Sequence, residues 1–192
     1  MKEQNLEKFK RNLPMIATYS RIALTPIIVL VLFIDESWSG WAAAFVFMLA
    51  SITDWLDGYW ARLFNSESAM GKFMDPIADK ILVLGCLIML LDSHTVDPFM
   101  VLLLISRDIF IGGIRSVAAA NNVIIAAKPF GKWKTGFQMI GIPMMFVGQG
   151  IQEMKLQKIG YSLLWISVGL SIISGLQYTL GYYNGTRRSI EN

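Results

Sequence analysis

Four aspartates in the first half of the chain have the types and spacing to do chemistry: Asp54 and Asp57, three residues apart, then Asp75 and Asp79, four apart. At helical spacing each pair projects from one face of its helix. Both pairs fall in strongly apolar surroundings, and an ionisable group within an apolar span is costly enough to be a functional candidate. Four carboxylates brought together repel one another unless a cation compensates them. Oxygen ligands with no histidine or cysteine beside them suit a hard divalent ion such as Mg2+ or Mn2+. Salt bridges to Arg62 or Lys80, or helix-start acids favoured by the macrodipole, account for one such aspartate as well as a metal does, but account less well for four. Gly58, Ala61 and Gly71 add small residues around them, which allow either close helix packing or the approach of a flat ligand.

The elements that must position these groups read as membrane helices. Of 192 residues, 54% are hydrophobic and 16% charged, with a mean hydropathy of +0.49, too apolar for an ordinary soluble domain. Apolar runs occupy about 16–34, 41–60, 73–91, 99–119, 136–150 and 161–180, at or near the roughly 20 residues of a crossing. The expected fold is all-α: one polytopic membrane domain over 1–192, with six transmembrane helices. Leu6, Phe9 and Leu13, at helical spacing among charges, add a short N-terminal interfacial helix. The first run is too long for a signal peptide and has no small-residue cleavage site, so it is expected to remain attached.

Fifteen of the seventeen Lys and Arg fall on one side of this arrangement, and only Lys155 and Lys158 on the other. By the positive-inside tendency both termini are cytoplasmic, and the second-to-third loop beside the aspartates is too. The net charge of +3 reflects these loops rather than a nucleic-acid partner. Cys86 lies within an apolar run and reads as a small core residue. His94 falls in a loop on the side away from the aspartates and takes no role.

Taken together the residues spell Asp54-x-x-Asp57-Gly58-x-x-Ala61-Arg62, eight residues, then Gly71-x-x-x-Asp75-x-x-x-Asp79. This resembles the signature of the CDP-alcohol phosphatidyltransferase family at every defining position. The resemblance implies six transmembrane helices, a homodimer, and transfer of a phosphatidyl group from a CDP-linked lipid to an alcohol with release of CMP. It also implies that Asp54, Asp57 and Asp75 bind the metal ions, that Asp79 is the base and touches metal, and that Gly58, Ala61, Arg62 and Gly71 line the CDP site.

The acceptor has to be read from the remaining cations. Arg107 and Arg115 lie in the fourth run, with Asp108 as an orienting partner for the first, and Lys132 and Lys134 precede the fifth. Cations at such depth suit an anionic acceptor. Ser106-Arg107-Asp108, Gly113-Ile114-Arg115, Gly131-Lys132-Trp133-Lys134-Thr135 with Gln138, and Asn12-Leu13-Pro14 with Thr18 and Arg21 resemble the bacterial branch that makes phosphatidylglycerol phosphate. Met15 departs from that branch, which commonly has asparagine there. The resemblance implies CDP-diacylglycerol and sn-glycerol 3-phosphate as substrates. Thr18 is then expected at the CDP site, and Arg21, Arg107, Arg115, Lys132 and Lys134 at the acceptor phosphate. Inositol phosphate or serine as acceptor, and a divalent-cation or proton transporter, stand as alternatives.

Overall fold

The computed structural model describes residues 18–34, 36–63, 69–120 and 129–190, without the side chains of 54–63, 69–73, 75, 76, 119, 120, 129 and 182–190. Among the described residues the chain is helical and has no strand. Its helices are α1 (Thr18–Leu32), α2 (Ser39–Leu63), α3 (Ala69–Asp92), α4 (Pro98–Ala120), α5 (Pro129–Gly150) and α6 (Met154–Ile190). Each corresponds to one expected apolar run. The expected interfacial helix around Leu6 to Leu13 lies outside the described residues.

The helices outrun the apolar segments. Helix α5 starts seven residues before residue 136 and continues through Pro143, while α6 extends past residues 161–180 at both ends to reach 37 residues. Hydropathy marks what suits lipid, whereas a helix continues as long as its backbone bonds are made. The bond lost at Pro143 is tolerated because the surrounding helices enclose that turn. Among the described residues, Met154–Gly181 is long and apolar enough to cross a membrane, with mean hydropathy 1.7.

Helices α3 and α5 end in the same way. His94 has φ 55° and Gln152 φ 53°. After α3, the N–H of His94 donates to the Leu91 carbonyl and that of Thr95 to Leu90; after α5, Gln152 donates to Gln149 and Glu153 to Gly148. Both are Schellman closures that satisfy otherwise orphaned carbonyls, with a non-glycine residue accepting the left-handed position. His94 therefore serves a turn, 15 residues and roughly 22 Å along α3 from Asp79.

Helix α5 packs along α6, α2 covers another side of α5, and α4 lies against α6. Helices α5 and α6 cross closely at Gly141 and Gly160. A Cβ at Gly160 would stand 2.9 Å from the Gly141 carbonyl oxygen, and one at Gly141 3.2 Å from that of Gly160. A side chain at Gly160 would clash and one at Gly141 would crowd, so hydrogen at these positions lets the two backbones meet. Phe47, Leu82, Leu87, Met100, Ile142, Phe146 and Leu164 fill the interior at that end of the bundle.

Toward the end that holds Asp79 the interior turns polar. Thr18, Arg21, Thr25, Lys134, Gln138, Ser167, Ser171 and Ser174 are all buried, while Leu30, Phe33, Phe45, Leu102, Ile109, Leu176 and Leu180 are exposed. Large apolar side chains outside and buried polar groups inside are the reverse of an ordinary water-soluble surface.

Candidate functional site

The helices that carry the aspartate signature are both present. Asp54, Asp57, Gly58, Ala61 and Arg62 fall in the last ten residues of α2, and Gly71 and Asp75 early in α3; the side chains of all seven lie outside the described residues. Asp79 is described, half-buried in α3.

Helix α1 brings its polar face to α3. Thr18, Arg21 and Thr25 recur at three and four residues and are all buried, and the Thr25 hydroxyl donates to the Arg21 carbonyl at 3.0 Å. A Cβ at Gly85 would lie 2.7 Å from the Thr25 methyl, so the two helices touch there. Arg21 and Asp79 lie four and six residues from that contact, about 6 and 9 Å along their helices and toward the same end of the bundle.

A second cluster joins α4, α5 and α6. Arg107 donates through Nε to the Ser171 carbonyl at 2.9 Å, through one terminal nitrogen to Asp108 at 3.0 Å, and through the other to the Ser174 hydroxyl. Lys134, with its side chain 5% exposed, pairs with the same Asp108 oxygen. Asp79 is within electrostatic reach of Lys134. One carboxylate thus holds two cations, one of them within electrostatic reach of the aspartate that ends the signature. Without it, a buried ammonium and a guanidinium would face each other uncompensated.

Sequence spacing anticipates Asp108 as a partner for Arg107 but not its hold on Lys134, 26 residues away. It also misses the seat that α6 supplies. Gly175 lies 3.5 Å, at its would-be Cβ, from the Arg107 stem, and with Ser171 and Ser174 it lets the side chain lie flat against the helix. The available signal is Ser167, Ser171 and Ser174, small polar residues at helical spacing in an apolar run. Arg115 and Lys132, by contrast, are exposed. The structure brings Arg107 and Lys134 together and leaves Arg115 and Lys132 outside that cluster.

A hard metal ion fits the donor chemistry of this end of the molecule. Asp79 offers carboxylate oxygen, while Cys86 is buried in the apolar core and His94 sits in the α3–α4 turn, so neither soft nor imidazole ligands compete.

Comparison with known proteins agrees. The CDP-alcohol phosphatidyltransferase family matches residues 11–173. A Rickettsia bellii protein named CDP-diacylglycerol–glycerol-3-phosphate 3-phosphatidyltransferase is 39% identical over 173 residues, covering 89% of this chain and 95% of that relative. A Bacillus subtilis protein of the same name is 35% identical over 179 residues, covering 87% and 93%. An Arabidopsis thaliana protein of that name, numbered 2, is 36% identical over 180 residues, covering 86% and 77%. With the signature on α2 and α3, a polar interior at one end and an apolar exterior, this membrane protein belongs to the CDP-alcohol phosphatidyltransferase family.

Proposed function

We propose that the protein transfers the phosphatidyl group of CDP-diacylglycerol to sn-glycerol 3-phosphate, giving phosphatidylglycerol phosphate and CMP. The observation that carries the acceptor is the largely buried Arg107–Asp108–Lys134 cluster within electrostatic reach of Asp79, a fixed cationic seat for a phosphate. The names of the relatives support the same pair of substrates.

In this reading Asp54, Asp57 and Asp75, with Asp79, hold Mg2+ or Mn2+. The chemistry such an ion supplies when bound is neutralisation of the donor's diphosphate and of the departing CMP. The chain's own residues do the rest. Thr18, Gly58, Ala61, Arg62 and Gly71 seat the CDP moiety. Arg21, Arg107 and Lys134 hold the acceptor phosphate, and exposed Arg115 and Lys132 draw the anion toward them. Asp79 accepts the proton of the acceptor's terminal hydroxyl as its oxygen attacks the lipid-side phosphorus. The bond from that phosphorus to the CMP oxygen breaks, and CMP leaves in line.

The protein is read as one six-span domain of the cell membrane, homodimeric, with both termini and the site on the cytoplasmic side. The basic bias of the loops and the exposed apolar side chains of the described helices support this. A site at headgroup depth lets acyl chains stay in lipid while CDP and the polar acceptor come from water.

The test is CMP release by detergent-purified protein given CDP-diacylglycerol and Mg2+, with glycerol 3-phosphate, inositol phosphate and serine supplied separately. Release with glycerol 3-phosphate alone is expected. Release with another acceptor, or with none, overturns the assignment. Asp57→Asn is expected to abolish metal-dependent donor binding, whereas Asp79→Asn keeps more of it while turnover is lost.

A further inference from the structure

A buried amide and the second oxygen of a half-buried carboxylate beside the cation cluster have no use in that reading. Gln138 lies one turn beyond Lys134 on α5 and is only 2% exposed. Among the described residues nothing accepts a hydrogen bond from its amide Nε2. It lines a cavity of about 60 Å3 together with Asp108 and Lys80, the rest of the wall being apolar side chains of α3 and α4. Asp108 spends its Oδ1 on Arg107 and Lys134, and among the described residues its Oδ2 receives no bond. An unmet buried amide donor costs about 1–3 kcal/mol and calls for an explanation.

The two groups are complementary to one chemistry. A donor and an acceptor on two residues that line one small space suit a hydroxyl, whose oxygen would accept from Gln138 Nε2 while its O–H donates to Asp108 Oδ2. A cavity needs roughly 10–15 Å3 of such space to hold one water, so this one admits a hydroxyl together with the carbons beside it. It shares Asp108 with the cation cluster, which puts it next to the proposed acceptor phosphate.

We propose that Gln138, with Asp108 Oδ2, reads the non-reacting secondary hydroxyl of the acceptor and so selects a phosphorylated polyol over a simple phosphorylated alcohol. This rests on the proposed acceptor site and deepens it. Glycerol 3-phosphate carries this hydroxyl between its phosphate and its reacting carbon, and 3-hydroxypropyl phosphate is the same molecule without it. A site built to bond a hydroxyl discriminates strongly against the analogue that lacks it.

The experiment compares kcat/KM for these two acceptors in full-length wild type, in near-isosteric Gln138→Met and in Gln138→Asn, which keeps the amide but withdraws it. Wild type is expected to prefer glycerol 3-phosphate by about 30-fold or more. In Gln138→Met the preference falls to about threefold or less, through loss on glycerol 3-phosphate alone, and Gln138→Asn falls between. The KM for CDP-diacylglycerol stays unchanged in both. Equal use of the two acceptors by wild type overturns this proposal alone, as does an unaltered preference in the variants or an equal loss on both acceptors. Absence of CMP release with either acceptor overturns the acceptor assignment itself and this proposal with it.

Discussion

Arg107 and Lys134 differ from Arg115 and Lys132 in almost nothing that a list of residues records: the same two types, on the same two helices, two turns or two residues apart. Yet the first pair is tied into α6 and to a shared carboxylate, while the second faces outward. Eight residues turn a helix by two full turns and about 80° more, enough to take Arg115 off the face that meets Ser171 and Ser174. Lys132 and Lys134, two apart, point well away from each other. A cation fixed by neighbours offers a phosphate a preformed seat, whereas an exposed one must give up side-chain freedom to bind. The lesson is that depth and partners, not charge count, separate cations held in place from cations left free to move.

Breaking the inner pair should have the largest effect. Arg107→Ala is expected to lower acceptor-dependent CMP release by about 100-fold or more, and Arg107→Lys to recover little because the ammonium lacks the fork that reaches Ser171, Ser174 and Asp108 together. Initial rates over an acceptor titration would measure this, and an equal loss in Arg115→Ala would erase the distinction between the pairs.

Asp108→Asn comes next. It leaves two neighbouring cations without their shared counter-charge, so the acceptor KM should rise about tenfold while the donor KM holds. Thermal stability should fall as well, since stripping a partner from a buried ion costs about 3 kcal/mol. A variant that melts like wild type would mean that Lys134 needs no partner.

Gly160→Leu tests whether the α5–α6 crossing is what delivers Lys134 to Asp108. The added side chain meets the Gly141 carbonyl and Met145 and should cost about 2 kcal/mol, read as a lower melting temperature in detergent. Activity should fall only with the lost fold, and an unchanged melt would detach the cluster from that crossing.

The smallest effect is expected at the outer pair. Arg115→Ala and Lys132→Ala should each raise the acceptor KM by less than about fivefold at low salt, with the difference vanishing near 1 M salt, where the Debye length is about 3 Å. A salt-independent loss would move either residue into the inner site.

The sequence by itself determined the helical class, the six apolar runs and the aspartate signature, because these rest on local period and on residues close together in the chain. Asp54 to Asp79 span 26 positions on consecutive helices, so the expectation that they group rests on spacing alone. Helix ends were less so: Pro143 does not stop α5, and His94 and Gln152 take left-handed positions where glycine would be expected. Tertiary structure alone decided which cations are held. Lys134 reaches Asp108 across 26 residues and Arg107 reaches Ser171 and Ser174 across 64 and 67, and such pairings follow from how α4, α5 and α6 cross. That crossing depends on Gly141 meeting Gly160, a contact between backbones that neither helix specifies alone. The unmet amide of Gln138 is likewise a property of the packed bundle, because an orphan donor exists only once everything around it has found its partner.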